Sequence, residues 1–186
     1  MRALHSVLLA TAFTAVTTLT TLSFANNVMV GGQSMLPTKD IVDNAVNSAD
    51  HTTLVAAVKA AGLVDTLKGK GPFTVFAPTN EAFGKLPAGT VDNLLKPENK
   101  ATLTKVLTYH VVPGIYDFKA LSAAINKGMG HAELTTASGG KLRVSMNGEH
   151  NIVVADESGN TATISTYDVY QSNGVINVID SVMLPK

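Results

Sequence analysis

Partway along this chain the spacing of its apolar residues changes from helical to alternating, and that change leaves few folds open. Ile41, Val42, Ala45 and Val46 make one apolar stripe, and Leu54, Val55, Val58 and Ala61 make a second, both spaced for a helix packed on one face. Ser48 or Asp50 can cap the second helix, and Gly62 is placed to end it. After a turn at Leu63 to Leu67, Phe73, Val75 and Phe76 read as a short buried strand. Thr79 is expected to cap a helix carrying Phe83, and Thr90 to cap another carrying Val91, Leu94 and Leu95. Pro97 opens a longer helix with Leu103, Val106 and Leu107 on its inner face. Asp117 caps a last one, through Phe118, Leu121 and Ile125 to Gly128.

Beyond that point the period is two. Leu142, Val144 and Met146 alternate with Lys141, Arg143 and Ser145, the pattern of a strand with one wet face. Ile152 and Val154, then Ala162 and Ile164, repeat it between the turn clusters Ser138-Gly139-Gly140, Asn147-Gly148 and Ser158-Gly159-Asn160. Val175, Ile176, Val178 and Ile179 are apolar on both faces, which implies a central strand. Helices first and antiparallel strands second make an α+β domain. The expected shape is a twisted β-sandwich or wedge of antiparallel strands with helices packed along one edge.

The chain has 186 residues, enough for one domain with an appendage at its front. Residues 1–25 read as a signal peptide: Arg2, a run of apolar residues and threonine from Val7 to Leu22, then the cleavage triplet Ser23-Phe24-Ala25. The alternative is an uncleaved anchor helix, although the six threonines between Thr11 and Thr21 dilute the apolar run. Asn26, Asn27, Gly31, Gly32 and Pro37 suggest a flexible leader over 26–38, followed by a single domain over 39–186. The chain has no cysteine, so thiol chemistry and disulfides are excluded. A domain of this size buries about two-thirds of its unfolded surface and needs no staple. No Asn-x-Ser/Thr acceptor occurs, which suits a bacterial source. Fourteen basic residues balance fourteen acidic ones, and no basic run supports nucleic-acid or anionic-lipid binding.

Three segments concentrate the polar residues that could act. In FTVFAPTNEAF, residues 73–83, Pro78 ends the strand, Thr79 or Asn80 can bond free amides of the next helix, and Phe76 and Phe83 pack inward. An anion site at that helix start is the functional alternative, without a glycine-rich approach to support it. In YHVVPG, residues 109–114, His110 could be a base or a metal ligand. The reading preferred here is structural: its ring nitrogens are satisfied by backbone, Thr79 or Asn80, fixing the segments together. In NGVINVIDSVMLP, residues 173–185, Asn173-Gly174 suits a turn with positive dihedrals before the buried strand. Just upstream, Tyr167 and Tyr170 are three apart, so in an extended segment at least one can face solvent as a contact or pack on the sheet rim.

Together these segments resemble the hallmark stretches of the fasciclin-like family, in order and spacing, over about residues 39–185. The resemblance implies a secreted or cell-surface adhesion module of bacterial type. Its partner would be a cell-surface or matrix protein or a polysaccharide. Thr166-Tyr167-Asp168-Val169 is similar in position to the Asn-Lys-Asp-Ile integrin-binding stretch of mammalian members; Asp168 matches, Val169 is conservative, and Thr166 and Tyr167 depart. Asn177 stands where the family usually has histidine.

No Gly-x-Ser-x-Gly, Walker loop, dinucleotide fingerprint or His-Glu-x-x-His occurs, and His51, His131 and His150 are not spaced for a metal. Asp156-Glu157 reads as a solvated hairpin loop. The reading is therefore a non-enzymatic protein without cofactor or metal, exported to the periplasm, cell surface or medium, with no membrane span once the signal is removed. Its expected contact residues are Tyr109, His110, Tyr167, Asp168, Val169 and Tyr170. Phe76, Pro78, Thr79, Asn80, Phe83, Asn173 and Gly174 are expected to hold the fold. The alternative is a periplasmic binder of a small hydrophobic ligand, lodged in a groove of the apolar core bordered by His110 and the helices.

Overall fold

A computed structural model describes residues 27–186, so the expected signal segment lies outside the described residues. The chain enters through a hairpin of β1 (Met29–Val30) and β2 (Gln33–Ser34). Helices α1 (Ile41–Ala45), α2 (Thr52–Ala61) and α3 (Val64–Leu67) follow, with a 3-10 turn at Ala49–His51 before α2. Strand β3 (Phe73–Pro78) comes next, then α4 (Asn80–Gly84), α5 (Thr90–Leu94) and α6 (Lys100–Tyr109). Strand β4 (Val111–Pro113) and helix α7 (Phe118–Lys127) lead into β5 (His131–Thr135), β6 (Lys141–Asn147), β7 (Asn151–Ala155), β8 (Thr161–Gln171) and β9 (Gly174–Ile179).

Seven strands form one sheet in the order β4-β3-β9-β8-β7-β6-β5. Most pairs are antiparallel, but β3 runs parallel to β9, from Phe73 opposite Gly174 to Pro78 opposite Ile179. The sheet is therefore mixed, where periodicity alone gives an antiparallel one. Its ends curl towards each other, and the Ala137 amide after β5 donates to the Val111 carbonyl of β4 at 2.7 Å. Two apolar cores result. One lies between the helical layer and the sheet and includes Ile41, Leu54, Val58, Leu103, Val106 and Ile176. The other fills the curl, where Leu121 and Ile125 of α7 meet Leu142, Val144, Ile152, Val154 and Ile179. The central position expected of β9 is explained by these two cores: every residue of β9 is buried.

Several local expectations hold for the reasons given. Gly62 ends α2 with φ +73°, a left-handed conformation that glycine adopts without strain. Asp117 caps α7, its Oδ1 accepting from the Ala120 amide at 2.7 Å. Others need correcting. The segment read as a leader packs as part of the domain: Val30 and Met35 are buried in the first core, and the Leu36 amide donates to Asn44 Oδ1 at 3.0 Å. Its glycines serve the tight hairpin rather than a loose chain. Val46, placed on the apolar stripe of α1, is exposed because that helix ends one residue earlier. Thr90 begins α5 but does not cap it; left-handed Gly89 precedes it.

Candidate functional site

The three hallmark segments meet at His110. Its backbone carbonyl accepts from the Phe76 amide of β3 at 2.9 Å. Its Nδ1 lies 2.8 Å from the Val106 carbonyl and its Nε2 accepts from the Met183 amide at 3.0 Å, so the proton sits on Nδ1. Burial pushes the ring pKa down to about 4, against smaller opposing effects of the Val106 carbonyl and the Asp156 carboxylate. His110 is thus a neutral crosslink between α6, β3 and the segment after β9. Both ring nitrogens are occupied, which leaves no lone pair for a metal and no base for a substrate.

Thr79 and Asn80 do related work at the helix starts. Thr79 Oγ1 accepts from the Ala82 amide at 3.2 Å, the cap expected for α4. Asn80 reaches outside its own helix: Oδ1 accepts from the Thr53 amide at 3.0 Å and Nδ2 donates to the Ala49 carbonyl at 2.9 Å. It is Asn80, and neither Ser48 nor Asp50, that bonds the free amide at the start of α2. Pro78, Phe76 and Phe83 are buried as expected.

Asn173 is an anchor as well, but not through positive dihedrals. Its Oδ1 accepts from the Ile41 amide at 3.1 Å, and its Nδ2 donates to the Leu67 and Gly69 carbonyls at 2.8 and 3.0 Å. Neither Asn173 nor Gly174 has positive φ. Gly174 is required by proximity: a Cβ there would lie 2.1 Å from the Phe73 carbonyl oxygen.

The rim of β8 carries the remaining polar side chains. Between the pairs Thr166–Val178 and Val169–Ile176, two residues, Tyr167 and Asp168, oppose the single Asn177. This is a β-bulge, with Asp168 at φ +59°. Asn177 holds it, with Oδ1 accepting from the Asp168 amide at 3.2 Å and Nδ2 donating to the Tyr116 carbonyl at 3.0 Å. The bulge aims Asp168 at α7, where Oδ1 accepts from the Phe118 amide at 2.7 Å. Burial raises the Asp168 pKa, the Phe118 amide opposes that, and the Asp117 carboxylate adds to it. Tyr170 donates its hydroxyl to Asp117 Oδ2 at 2.9 Å. Its pKa is pushed up to about 12, first by partial burial, then by the Asp117 hydrogen bond and the two carboxylate charges. Tyr167 accepts from the Ile152 amide at 2.7 Å and stands edge-on to Phe118, with ring centroids 5.2 Å apart.

The six expected contact residues therefore divide. Tyr109 is 0 % exposed, Val169 1 % and His110 2 %, so none of the three can meet a macromolecule at the surface. The Tyr109 hydroxyl instead donates to the Lys141 carbonyl at 2.6 Å. For His110 the burial is readable: the inner face of α6 continues from Leu103 and Val106 to His110 at intervals of three and four. Tyr170 is 48 % exposed, while Tyr167 and Asp168 are half-buried beside it. With Asp117 they form one aromatic and acidic ridge.

Asp156 corrects another expectation. It is buried, and its carboxylate accepts four hydrogen bonds, from the Ser158, Asn160 and Leu184 amides and from Asn160 Nδ2. The dipeptide with Glu157 looks solvated because the Leu184 amide that reaches it comes from a distant part of the chain. Among the described residues no three His, Cys, Asp or Glu side chains converge as metal ligands, and no helix is long and apolar enough to cross a membrane.

Comparison with known proteins places these features in a family. The Fasciclin domain model matches residues 49–185. Protein sll1483 of Synechocystis sp. is 49 % identical over 150 residues, covering 78 % of this chain and 73 % of that protein. Cell surface glycolipoprotein MPB83 of Mycobacterium bovis is 36 % identical over 146 residues, covering 76 % of this chain and 58 % of that protein. The solved FAS1 domain pair of the insect cell adhesion molecule Fasciclin I matches in fold with a TM-score of 0.68 at 19 % identity, over 78 % of this chain and 51 % of that one.

Proposed function

The chain belongs to the fasciclin domain family, and from that premise we propose that it is a non-catalytic adhesion module that meets its partner through the β8 rim. The observation that carries this reading is Tyr170: a large aromatic side chain, 48 % exposed, held in place by its hydroxyl bond to Asp117. A pre-ordered tyrosine offers contact area at low entropic cost. Beside it, the Asp117 and Asp168 carboxylates favour a partner with basic or amide groups, on a cell-surface or matrix protein or on a polysaccharide. The full occupancy of His110 by backbone groups supports a role without chemistry.

Adhesion of the purified protein to immobilised cell-surface extract tests the proposal. Tyr170→Ala is expected to weaken adhesion at least tenfold, within the range of an aromatic hot spot, while the melting temperature stays nearly constant. Unchanged adhesion in a folded Tyr170→Ala protein would refute the rim as the contact. Export to the periplasm, surface or medium belongs to the same proposal. It predicts that protein recovered from those fractions begins at Asn26, which N-terminal sequencing reads directly.

A further inference from the structure

Helix α7 ends in a turn whose residue type and backbone disagree. The Met129 amide donates to the Asn126 carbonyl at 3.2 Å and the Gly130 amide to the Ile125 carbonyl at 2.9 Å, the paired bonds that close a helix through a left-handed residue. That residue is Met129, at φ +56°. Glycine or asparagine takes such a position at little cost, whereas a longer side chain strains the backbone there. Packing does not offset the strain, because Met129 is 93 % exposed. Single apolar residues on a surface are ordinary. One that is also held in a disfavoured conformation serves neither core nor turn, which points to a use for the side chain itself. Access to it is open: a Cβ at the following Gly130 would meet nothing within 4 Å.

We propose that Met129 is a site of reversible oxidation: a peroxide converts its thioether to the sulfoxide in the folded protein, and a dithiol-dependent sulfoxide reductase converts it back. The chain has no cysteine, so thioethers are its only sulfur nucleophiles. Met35 and Met183 are buried, Met146 is partly buried against the second core, and Met29 is 60 % exposed in the entry hairpin. In the forward step a sulfur lone pair attacks one oxygen of hydrogen peroxide. The S–O bond forms as the O–O bond breaks, and the proton of the transferred oxygen passes to the departing one, which leaves as water. Sulfur loses two electrons and the peroxide gains them. In the reverse step the sulfoxide oxygen leaves as water while the dithiol closes to a disulfide. A sulfoxide at Met35 or Met183 would set a polar group among apolar walls. At Met129 the added oxygen meets solvent, and the two backbone bonds of the turn need no rearrangement. Met129 stands at the opposite end of α7 from Asp117 and the β8 rim, so the modification leaves that surface alone.

The test exposes the protein as the cell makes it to hydrogen peroxide, with free methionine as the reference, and follows each methionine by peptide mass spectrometry. Met129 is expected to oxidise first, at a rate close to that of free methionine, with Met35 and Met183 slower by about tenfold or more. Protein oxidised at Met129 alone should keep its melting temperature within about 2 °C. Dithiothreitol with the two reductases specific for the two sulfoxide epimers should return it to the thioether without unfolding. Met129→Leu, treated in parallel, should lose the fast site and leave the other rates unchanged. The proposal is overturned if Met35 or Met183 oxidises as fast as Met129, or if Met129 is protected relative to free methionine, as contact with a second copy would make it. It is equally overturned if oxidation at Met129 lowers the melting temperature where the treated Met129→Leu protein keeps its own, or if the reductases leave the sulfoxide in place.

Discussion

Lowering the pH should weaken this fold through His110, and the size of the effect follows from the burial of the ring. In the unfolded chain the imidazole takes up a proton near its ordinary pKa of 6.5, whereas in the folded protein it resists until about 4. The folded-state value is depressed, so the unfolded state binds more protons between the two values. Stability is then fully present above 6.5 and is lost as pH falls through that window. The difference of 6.5 − 4 = 2.5 units corresponds to about 3 kcal/mol, a large share of the stability of a domain this size. About 2 kcal/mol of it should already be gone near pH 5. Urea denaturation across this pH range measures the loss. The control is His110→Gln, which cannot titrate. It should be less stable than the parent at neutral pH yet lose about 3 kcal/mol less on acidification. Parallel pH curves for the two proteins, or a His110 resonance titrating near 6.5 in the folded state, would refute the argument.

Asp156→Ala should cost about 2–4 kcal/mol in urea denaturation, because it strips the Ser158, Asn160 and Leu184 amides of a buried charged acceptor. Hydrogen exchange should then show the Leu184 amide opening far more readily than in the parent. Asn173→Ala should cost about 2 kcal/mol by the same assay, since it detaches the start of α1 and the turn after α3 from the last strand. Gly174→Ala should cost about 3 kcal/mol or more or prevent folding, because the clashing Phe73 oxygen belongs to a buried strand and cannot withdraw. Tyr170→Phe should change stability by about 1 kcal/mol at most, and its tyrosine absorbance titration should lose a group that ionises near pH 12.

What the sequence discloses about this domain is what neighbouring residues decide among themselves. Thr79 and Asp117 are legible as caps because the amides they accept from lie three residues on. Gly62 is legible because a helix end favours a left-handed residue. The pairing of β3 with β9 is not legible, since an apolar strand carries no mark of the direction of its neighbour. Asp156 misleads for the opposite reason: its surroundings are those of a turn, and the amide that buries it arrives from Leu184. Tyr170 is exposed, as the spacing of the two tyrosines allows, but the bulge that turns Asp168 towards α7 depends on Asn177 across the sheet.

The position of β9 between β3 and β8 bears on how the polypeptide reaches its final form. The last strand of the module must slot between two made earlier, and one of those, β3, begins about a hundred residues before it (174 − 73 = 101). A nascent chain halted before residue 174 would hold two half-sheets with facing raw edges and no seam to join them. Acquisition of structure should therefore wait until synthesis of this module is essentially complete and proceed slowly thereafter, as topologies rich in distant contacts do. A protein that stays pliable until its final strand emerges is one that a secretion channel can still thread.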